Sequence, residues 1–218
     1  DYEINYDVSK FVDASIEKVM HTLIEAFILV AIVVFIFLGD WRSTLIPILA
    51  VPVSLIGAFV FMKMFGLSIN LITLFALVLA IGIVVDNAIV VVEAVHVKME
   101  HDHLSPFEAV KKVVSEISSA IIAITLVMTS VFIPVAFMSG PVGVLYRQFS
   151  LTMASSIVIS GIVALTLTPV LCAILLKNTH GKAKSKSPVT KFIQWFNKGF
   201  ERETNRYTKF LSLIINRK

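Results

Sequence analysis

The chain is 218 residues long, and 57% of its residues are hydrophobic while only 16% are charged. Soluble domains of this length carry roughly 25% charged and 45–50% apolar residues, so this composition argues against a soluble globular protein. The net charge of +4 does not indicate a nucleic-acid partner, because the basic residues lie outside the apolar stretches and most of them follow residue 176.

Long runs without any charged residue dominate the chain. The longest cover residues 43–62, 64–85, 117–146 and 148–176. A shorter run at 26–39 extends to residue 21 if Glu25 is admitted. A bilayer core about 30 Å thick needs roughly 20 apolar residues per helix, and these runs lack the polar stripe of a soluble helix. We therefore predict an all-α membrane protein with five transmembrane helices, at about 21–39, 44–64, 68–92, 117–138 and 149–176.

Short sequence patterns indicate where some of these helices begin and bend. Residues 1–20 are predicted to end a portion outside the membrane and to lead into span one through a helix. Ser105 and Glu108 form the pattern of a capping box around Pro106, so a helix is expected to begin at Pro106 and to lead into span four. Two prolines and one glycine mark expected bends: Pro52, Gly161 and Pro169.

The carboxyl-terminal region divides into two parts. Residues 178–189 form a polar, lysine-rich linker. Residues 190–218 place aromatic and aliphatic residues at helical spacing with basic residues around the rest of the wheel, which predicts an amphipathic helix. Such a helix suits the cytoplasmic surface of the membrane, and packing onto another protein domain is the alternative.

Basic residues are distributed unequally between the two sides of the predicted membrane. The loops between spans one and two and between spans three and four, with the tail, hold 15 of the 19 Lys and Arg residues. By the positive-inside rule, the carboxyl tail is cytoplasmic and the amino end lies outside. The four remaining basic residues are Lys10, Lys18, Lys63 and Arg147.

Asp86 is the residue that most strongly indicates function. It is predicted to be buried deep in span three, where a carboxylate costs roughly 2.5–3.5 kcal/mol and usually marks a proton or ion pathway. Asn87 adds a neutral donor and acceptor beside it, and Gly82, one turn earlier, would let a neighbouring helix approach closely. A purely structural carboxylate held by a hydrogen bond is the alternative.

Two further carboxylates are candidates for a proton path. Glu25 is expected in the first turn of its helix, where the helix dipole alone would explain a carboxylate. Glu93 follows Asp86 by seven residues, on nearly the same face, and either marks the mouth of a hydrated route or extends to the interface. The histidines at 96, 101 and 103 lack the spacing of a known ligand set, so we expect no metal site and no cofactor.

The segment 82–93 (GIVVDNAIVVVE) resembles the fourth transmembrane helix of the resistance-nodulation-division (RND) exporters, in particular their multidrug branch. Further segments resemble the same family in the same order: 22–26 (TLIEA), 44–47 (TLIP), 50–53 (AVPV), 132–137 (FIPVAF), 146–150 (YRQFS), 167–173 (LTPVLCA) and 192–207. The resemblance implies that the five spans are helices two to six of a twelve-helix protein, followed by the family's surface helix.

The resemblance also implies a function and partners. Asp86 would be the first of two adjacent proton-carrying aspartates, and Asn87 occupies the position of the second, which leaves the proton stoichiometry open. The chain would be half of the proton-translocating domain of an efflux pump, a secondary transporter and not an enzyme, in the bacterial inner membrane. Expected partners are the lipid bilayer, protons, a second half carrying a lysine, two further copies in a homotrimer, a periplasmic adaptor and an outer-membrane channel.

Other functions fit parts of the pattern. Helices two to six of this superfamily also resemble a sterol-sensing domain, a lipid-responsive five-helix module. A heavy-metal exporter of the same superfamily is a second alternative. A structural or assembly fragment without activity of its own is the third.

Overall fold

The computed structural model describes residues 8–177 and 188–215, and it describes side chains for residues 13–177, 199–200, 202–212 and 214. The chain divides into two compact units, Asp1–Asn178 and Thr179–Lys218, which are treated separately below. The helices of the first unit are α1 (Val8–Leu38), α2 (Trp41–Met64), α3 (Leu71–His101), α4 (Pro106–Ala136), α5 (Pro141–Leu165) and α6 (Leu167–Leu175).

The predicted all-α membrane fold with five spans is confirmed. The described residues contain five helices that are long and apolar enough to cross a membrane, with α5 and α6 together forming the fifth. Several helices extend beyond the predicted spans: α1 begins at Val8 and α3 continues to His101. Neither extension contains a glycine or proline, so nothing in the sequence ends the helix at the edge of the apolar run.

Helix α4 begins as its sequence predicts. The Ser105 hydroxyl accepts a hydrogen bond from the Glu108 backbone N–H at 3.4 Å, and a Glu108 carboxylate oxygen accepts one from the Ser105 backbone N–H at 3.2 Å. The two residues therefore form a reciprocal capping box with Pro106 at the first helical position. The same helix runs without interruption into the fourth span.

The fifth span breaks between α5 and α6, at Thr166. Pro169 has no N–H to donate to the carbonyl of Leu165, and its ring crowds that carbonyl, so the helix opens one turn before the proline. The bend predicted at Pro169 is therefore present. Helix α2, by contrast, is continuous through Pro52.

Gly161 serves close packing between helices, and the bend predicted there stays a prediction. Helix α5 is continuous through this residue. A Cβ placed on Gly161 would lie 2.5 Å from the Thr125 hydroxyl oxygen of α4. The absence of a side chain therefore lets α4 and α5 approach closely, as small residues do between membrane helices.

Helix α3 lies at the centre of the bundle. In its most apolar window 56% of the residues are buried, compared with 6% in α1 and in α4. The largest fully buried side chains are contributed mainly by α2, α3 and α5, among them Ile46, Leu74, Leu77, Ile81 and Ile157. The peripheral helices α1 and α4 expose long apolar side chains, as expected for surfaces in contact with lipid.

The second unit contains helix α7 (Pro188–Ile215). Its described side chains are exposed and include the apolar Phe200, Tyr207 and Phe210. Arg206 pairs with Glu203 at 2.8 Å on the charged part of its surface. The predicted amphipathic helix is thus present. Most of the predicted linker lies outside the described residues, and the location of α7 at the membrane surface stays a prediction.

Candidate functional site

Asp86 lies at the midpoint of α3, and its side chain is exposed among the described residues. The described helices therefore do not cover this side chain, and its burial within the membrane stays a prediction. The residues on both sides of it along the chain, Val85 and Asn87, are buried. Because each residue advances about 100° around a helix, these two neighbours pack into the bundle while Asp86 points away from it.

The exposed position of Asp86 is part of a continuous feature, which we call the open stripe of α3. Its members recur at spacings of three and four, so they follow one face of the helix, and every one of them is exposed: Phe75, Leu79, Gly82, Asp86, Val90, Glu93 and Val97. The most central helix of the bundle therefore leaves one whole face uncovered by the described helices. Asp86 and Glu93 both lie on that face.

Gly82 was expected to admit a neighbouring helix, and the structure does not bear this out within the described residues. A Cβ added to Gly82 would meet no atom within 4 Å. The space beside it belongs to an open pocket of about 260 Å³. The pocket is lined by Gly82, Ile83, Asp86, Asn87, Ile124, Thr125, Met128 and Ile157.

The pocket combines one carboxylate with an otherwise uncharged wall. Helix α4 contributes Ile124, Thr125 and Met128, and α5 contributes Ile157. At roughly 30 Å³ per water molecule, its volume is large enough for several waters next to Asp86. A hydrated carboxyl group at mid-span can exchange a proton with water while the surrounding apolar side chains keep other ions away.

Asn87 points into the helix interface between α3 and α5. It is 5% exposed, and its amide Nδ2 donates a hydrogen bond to the Ser160 hydroxyl at 3.1 Å. The Ser160 hydroxyl in turn donates to the backbone carbonyl of Val84 at 3.3 Å. The two adjacent residues of the predicted site therefore occupy different environments: Asp86 lies on an open face, and Asn87 lies in a closed hydrogen-bonded contact.

Ser160 was not among the residues predicted from the sequence, although a signal was present. Thr152, Ser156 and Ser160 recur every four residues, which places three hydroxyl groups along one face of α5. All three are buried. In a span that is otherwise apolar, such a row of hydroxyls indicates a face that packs against another helix.

The two weaker candidates, Glu25 and Glu93, are both exposed. Glu25 does not lie in the first turn of its helix, because α1 begins at Val8. The helix dipole acts mainly within the first turn, so it does not explain this carboxylate. Glu93 shares the open stripe with Asp86, about 10 Å further along the helix at 1.5 Å per residue.

An ion-pair cluster joins α3 and α4 beyond Glu93. Lys98 pairs with Glu116 at 2.9 Å and with Asp102 at 3.8 Å, and Asp102 also pairs with Lys112 at 3.4 Å. His96 lies 3.3 Å from Glu100. These side chains are partly or largely exposed, so the pairs add little stability.

Together, the five long apolar helices among the described residues define a polytopic membrane protein with a carboxyl group at the middle of its central helix. The family model described as the AcrB/AcrD/AcrF family matches residues 1–218. The chain belongs to this family, which confirms the resemblance to RND exporters that the sequence motifs indicated.

Several curated proteins are similar to the chain. It is 47% identical over 210 residues to the multidrug export protein AcrF of Escherichia coli, and 45% identical over 210 residues to the toluene efflux pump membrane transporter TtgE of Pseudomonas putida. It is 45% identical over 204 residues to the multidrug resistance protein MdtF of Escherichia coli. These matches cover 93–96% of the chain but only 19–20% of each relative. The chain thus spans about a fifth of the length of these relatives.

Proposed function

We propose that the chain is part of the transmembrane domain of a proton-driven efflux pump and that Asp86 carries the proton. The observation that carries this proposal is the position of Asp86: a carboxyl group at the midpoint of the central helix, on an open face, beside a pocket with an uncharged wall. The family match over the whole chain supports the same conclusion.

The exposed position of Asp86 has a consequence for what lies next to this side chain in the complete pump. A carboxylate that faced lipid at mid-span would cost roughly 2.5–3.5 kcal/mol. Water or a polar partner on the open stripe would remove this cost. The proposed arrangement therefore sets the open stripe against the second half of the pump, whose lysine would offer a counter-charge, and leaves water access through the pocket.

Glu93 is the better of the two candidates for the proton path. It continues the open stripe from Asp86 toward the end of α3 that the charge distribution assigns to the cytoplasm. Glu25 lies on the peripheral helix α1, and its exposed side chain is compatible with a role at the opposite end of the path. We propose that protons enter from outside, load Asp86 and leave toward Glu93.

The relatives suggest the cargo and the assembly. The names of the three relatives concern multidrug export, multidrug resistance and toluene efflux, so the proposed substrates are hydrophobic or amphiphilic compounds. The names of these relatives give no support to heavy-metal export. The proposed assembly is a homotrimer in the bacterial inner membrane that works with a periplasmic adaptor and an outer-membrane channel.

Asp86→Asn in the complete pump tests the proposal. Asn keeps the shape and the hydrogen-bonding capacity of the side chain but cannot take up a proton. Because Asp86 is exposed beside an open pocket, we expect normal membrane insertion and trimer formation but a loss of export to the level of cells without the pump. The measurement is efflux of a fluorescent amphiphile from energised cells, with protein level checked in the membrane fraction.

Glu93→Gln is the matched control, because it removes a carboxylate from the same stripe. We expect this variant to slow export without abolishing it, since water can replace a relay at the edge of the membrane. Export by Asp86→Asn at the rate of the unchanged pump would contradict the assignment of Asp86 as the proton carrier.

A further inference from the structure

The contact between Asn87 and Ser160 has a fixed hydrogen-bond direction. A serine hydroxyl has one proton to donate, and the Ser160 proton is directed to the Val84 carbonyl. The lone pairs of the Ser160 oxygen therefore accept from residue 87, and Asn87 supplies the N–H. The chain Asn87 to Ser160 to Val84 joins α3 to α5 through a side-chain contact and a backbone contact at adjacent turns.

This direction restricts which side chains suit position 87. An amide donates to Ser160, and a protonated carboxylic acid can donate in the same way. An ionised carboxylate has no proton to donate, so it would face an acceptor unless Ser160 turned its hydroxyl away from Val84. With a carboxyl group at position 87, the tie between α3 and α5 would therefore depend on protonation, whereas with Asn87 it does not.

The surroundings of the contact contain no second titrating group among the described residues. The pocket wall contributed by α4 and α5 consists of Ile124, Thr125, Met128 and Ile157, all uncharged. On α3 itself, Asp86 is the only titratable residue that lines the pocket. Among the described residues, protonation at this site is therefore confined to one carboxyl group, about 100° around the helix from the Asn87 contact.

We infer that Asn87 is a positioning residue that holds α3 against α5 independently of pH, and that the site carries one proton per cycle through Asp86 alone. This inference rests on the proposed function and adds the role of Asn87 and the number of protons. The fixed contact keeps one side of α3 in place, so that a change in the charge of Asp86 acts only on the open stripe.

The pH dependence of transport tests the inference. The complete pump is reconstituted in liposomes with equal pH on both sides and an imposed membrane potential, and uptake of a fluorescent amphiphile is measured as pH rises. Where one proton must bind, the rate falls by about one decade per pH unit in the alkaline range, and where two must bind, by about two decades. The unchanged pump is expected to follow the one-proton slope.

Variants at positions 87 and 160 separate positioning from simple packing. Asn87→Asp is expected to steepen the fall to the two-proton slope, because ionisation at residue 87 now breaks the contact with Ser160. The double variant Asn87→Asp with Ser160→Ala should return to the one-proton slope, since no hydroxyl remains for residue 87 to hold. A merely structural role for Asn87 would change the rate and leave every slope the same.

Simple removal of the contact gives a second readout that does not depend on Asn87→Asp folding. Asn87→Ala and Ser160→Ala should each lower the rate about threefold to tenfold, the range for the loss of one buried hydrogen bond, with the one-proton slope retained. Ser155→Ala is the matched control, because the Ser155 hydroxyl is buried in the same helix but bonds within it, to the Thr152 carbonyl. This variant should transport at the unchanged rate.

Three results would overturn the inference: a two-proton slope for the unchanged pump, the same slope for Asn87→Asp as for Asn87, or equal rates for Ser160→Ala and Ser155→Ala. None of these results concerns whether Asp86 carries protons. Transport by Asp86→Asn in the same liposomes would instead contradict the proposed function, so the two failures can be distinguished.

Discussion

Gly161→Ala is expected to destabilise the bundle, although alanine is the better helix former. The added Cβ would lie 2.5 Å from the Thr125 hydroxyl oxygen, 3.0 Å from its Cγ2 and 3.2 Å from its Cβ. Favourable contacts between carbon atoms lie at about 3.5–4.0 Å, so α4 and α5 would have to separate by several tenths of an ångström or more. Forced overpacking of this kind costs roughly 1–3 kcal/mol.

The helix propensity of alanine offsets part of this cost. Replacing glycine by alanine in a helix stabilises it by roughly 0.5–1 kcal/mol. The net expectation is a loss of up to about 2.5 kcal/mol in the free energy of unfolding, with a central value of about 1 kcal/mol. The measurement is reversible unfolding of the purified chain in detergent micelles by a denaturing detergent, followed by circular dichroism of the helices.

Two companion variants make the reasoning testable. Gly82→Ala is the matched control, because its Cβ would meet no atom within 4 Å, and it should leave the chain as stable as before or slightly more stable. Thr125→Ala in the Gly161→Ala background removes the two closest atoms and should recover most of the loss. If Gly161→Ala proved as stable as Gly82→Ala, the close contact between α4 and α5 would not exist as described.

Three further predictions concern topology, the surface helix and a helix start. Single cysteines at Asp102 and Pro141 should react differently with an impermeant reagent added to intact cells: labelling at 141 and none at 102 is expected, and the reverse would overturn the orientation read from the basic residues. Quenchers placed in the headgroup region should quench Trp195 in α7 more strongly than quenchers at the bilayer centre, as expected for a helix lying on the surface. Ser105→Ala should lower the free energy of unfolding by about 1 kcal/mol, because the helix loses its cap. Ser105→Asp should keep most of the stability of the unchanged chain, because an aspartate side chain also caps a helix.

The structural features that depend on only a few neighbouring residues, or on composition, were predicted correctly from the sequence. The capping box of Ser105 and Glu108 and the break before Pro169 both depend on backbone groups within one turn. The number of spans depends on composition and length alone. These features need no knowledge of how the helices pack.

The orientation of each helix about its own axis was not predictable in the same way. Helix α3 is apolar on nearly all sides, so its sequence contains no polar stripe to show which face is covered. The sequence therefore predicted that Asp86 lies deep in span three and that a neighbour could approach Gly82, but it did not show that both belong to the open stripe. The role of Gly161 was missed for a related reason, because a glycine in a helix indicates a bend as readily as a close contact until the opposite residue, Thr125, is known.

The structure gives α3 two faces with different constraints. One face is fixed by buried apolar packing and by the hydrogen bonds from Asn87 through Ser160 to Val84. The other face carries Asp86 and Glu93 along the open stripe, where no described helix restrains them. Adjacent residues of a helix differ by about 100° in direction, so a single step in the sequence separates the fixed contact from the group that can change its charge. A helix built in this way can respond to a proton on one side without loosening its packing on the other, because the two polar groups share a backbone but no hydrogen-bond partner in the described contacts.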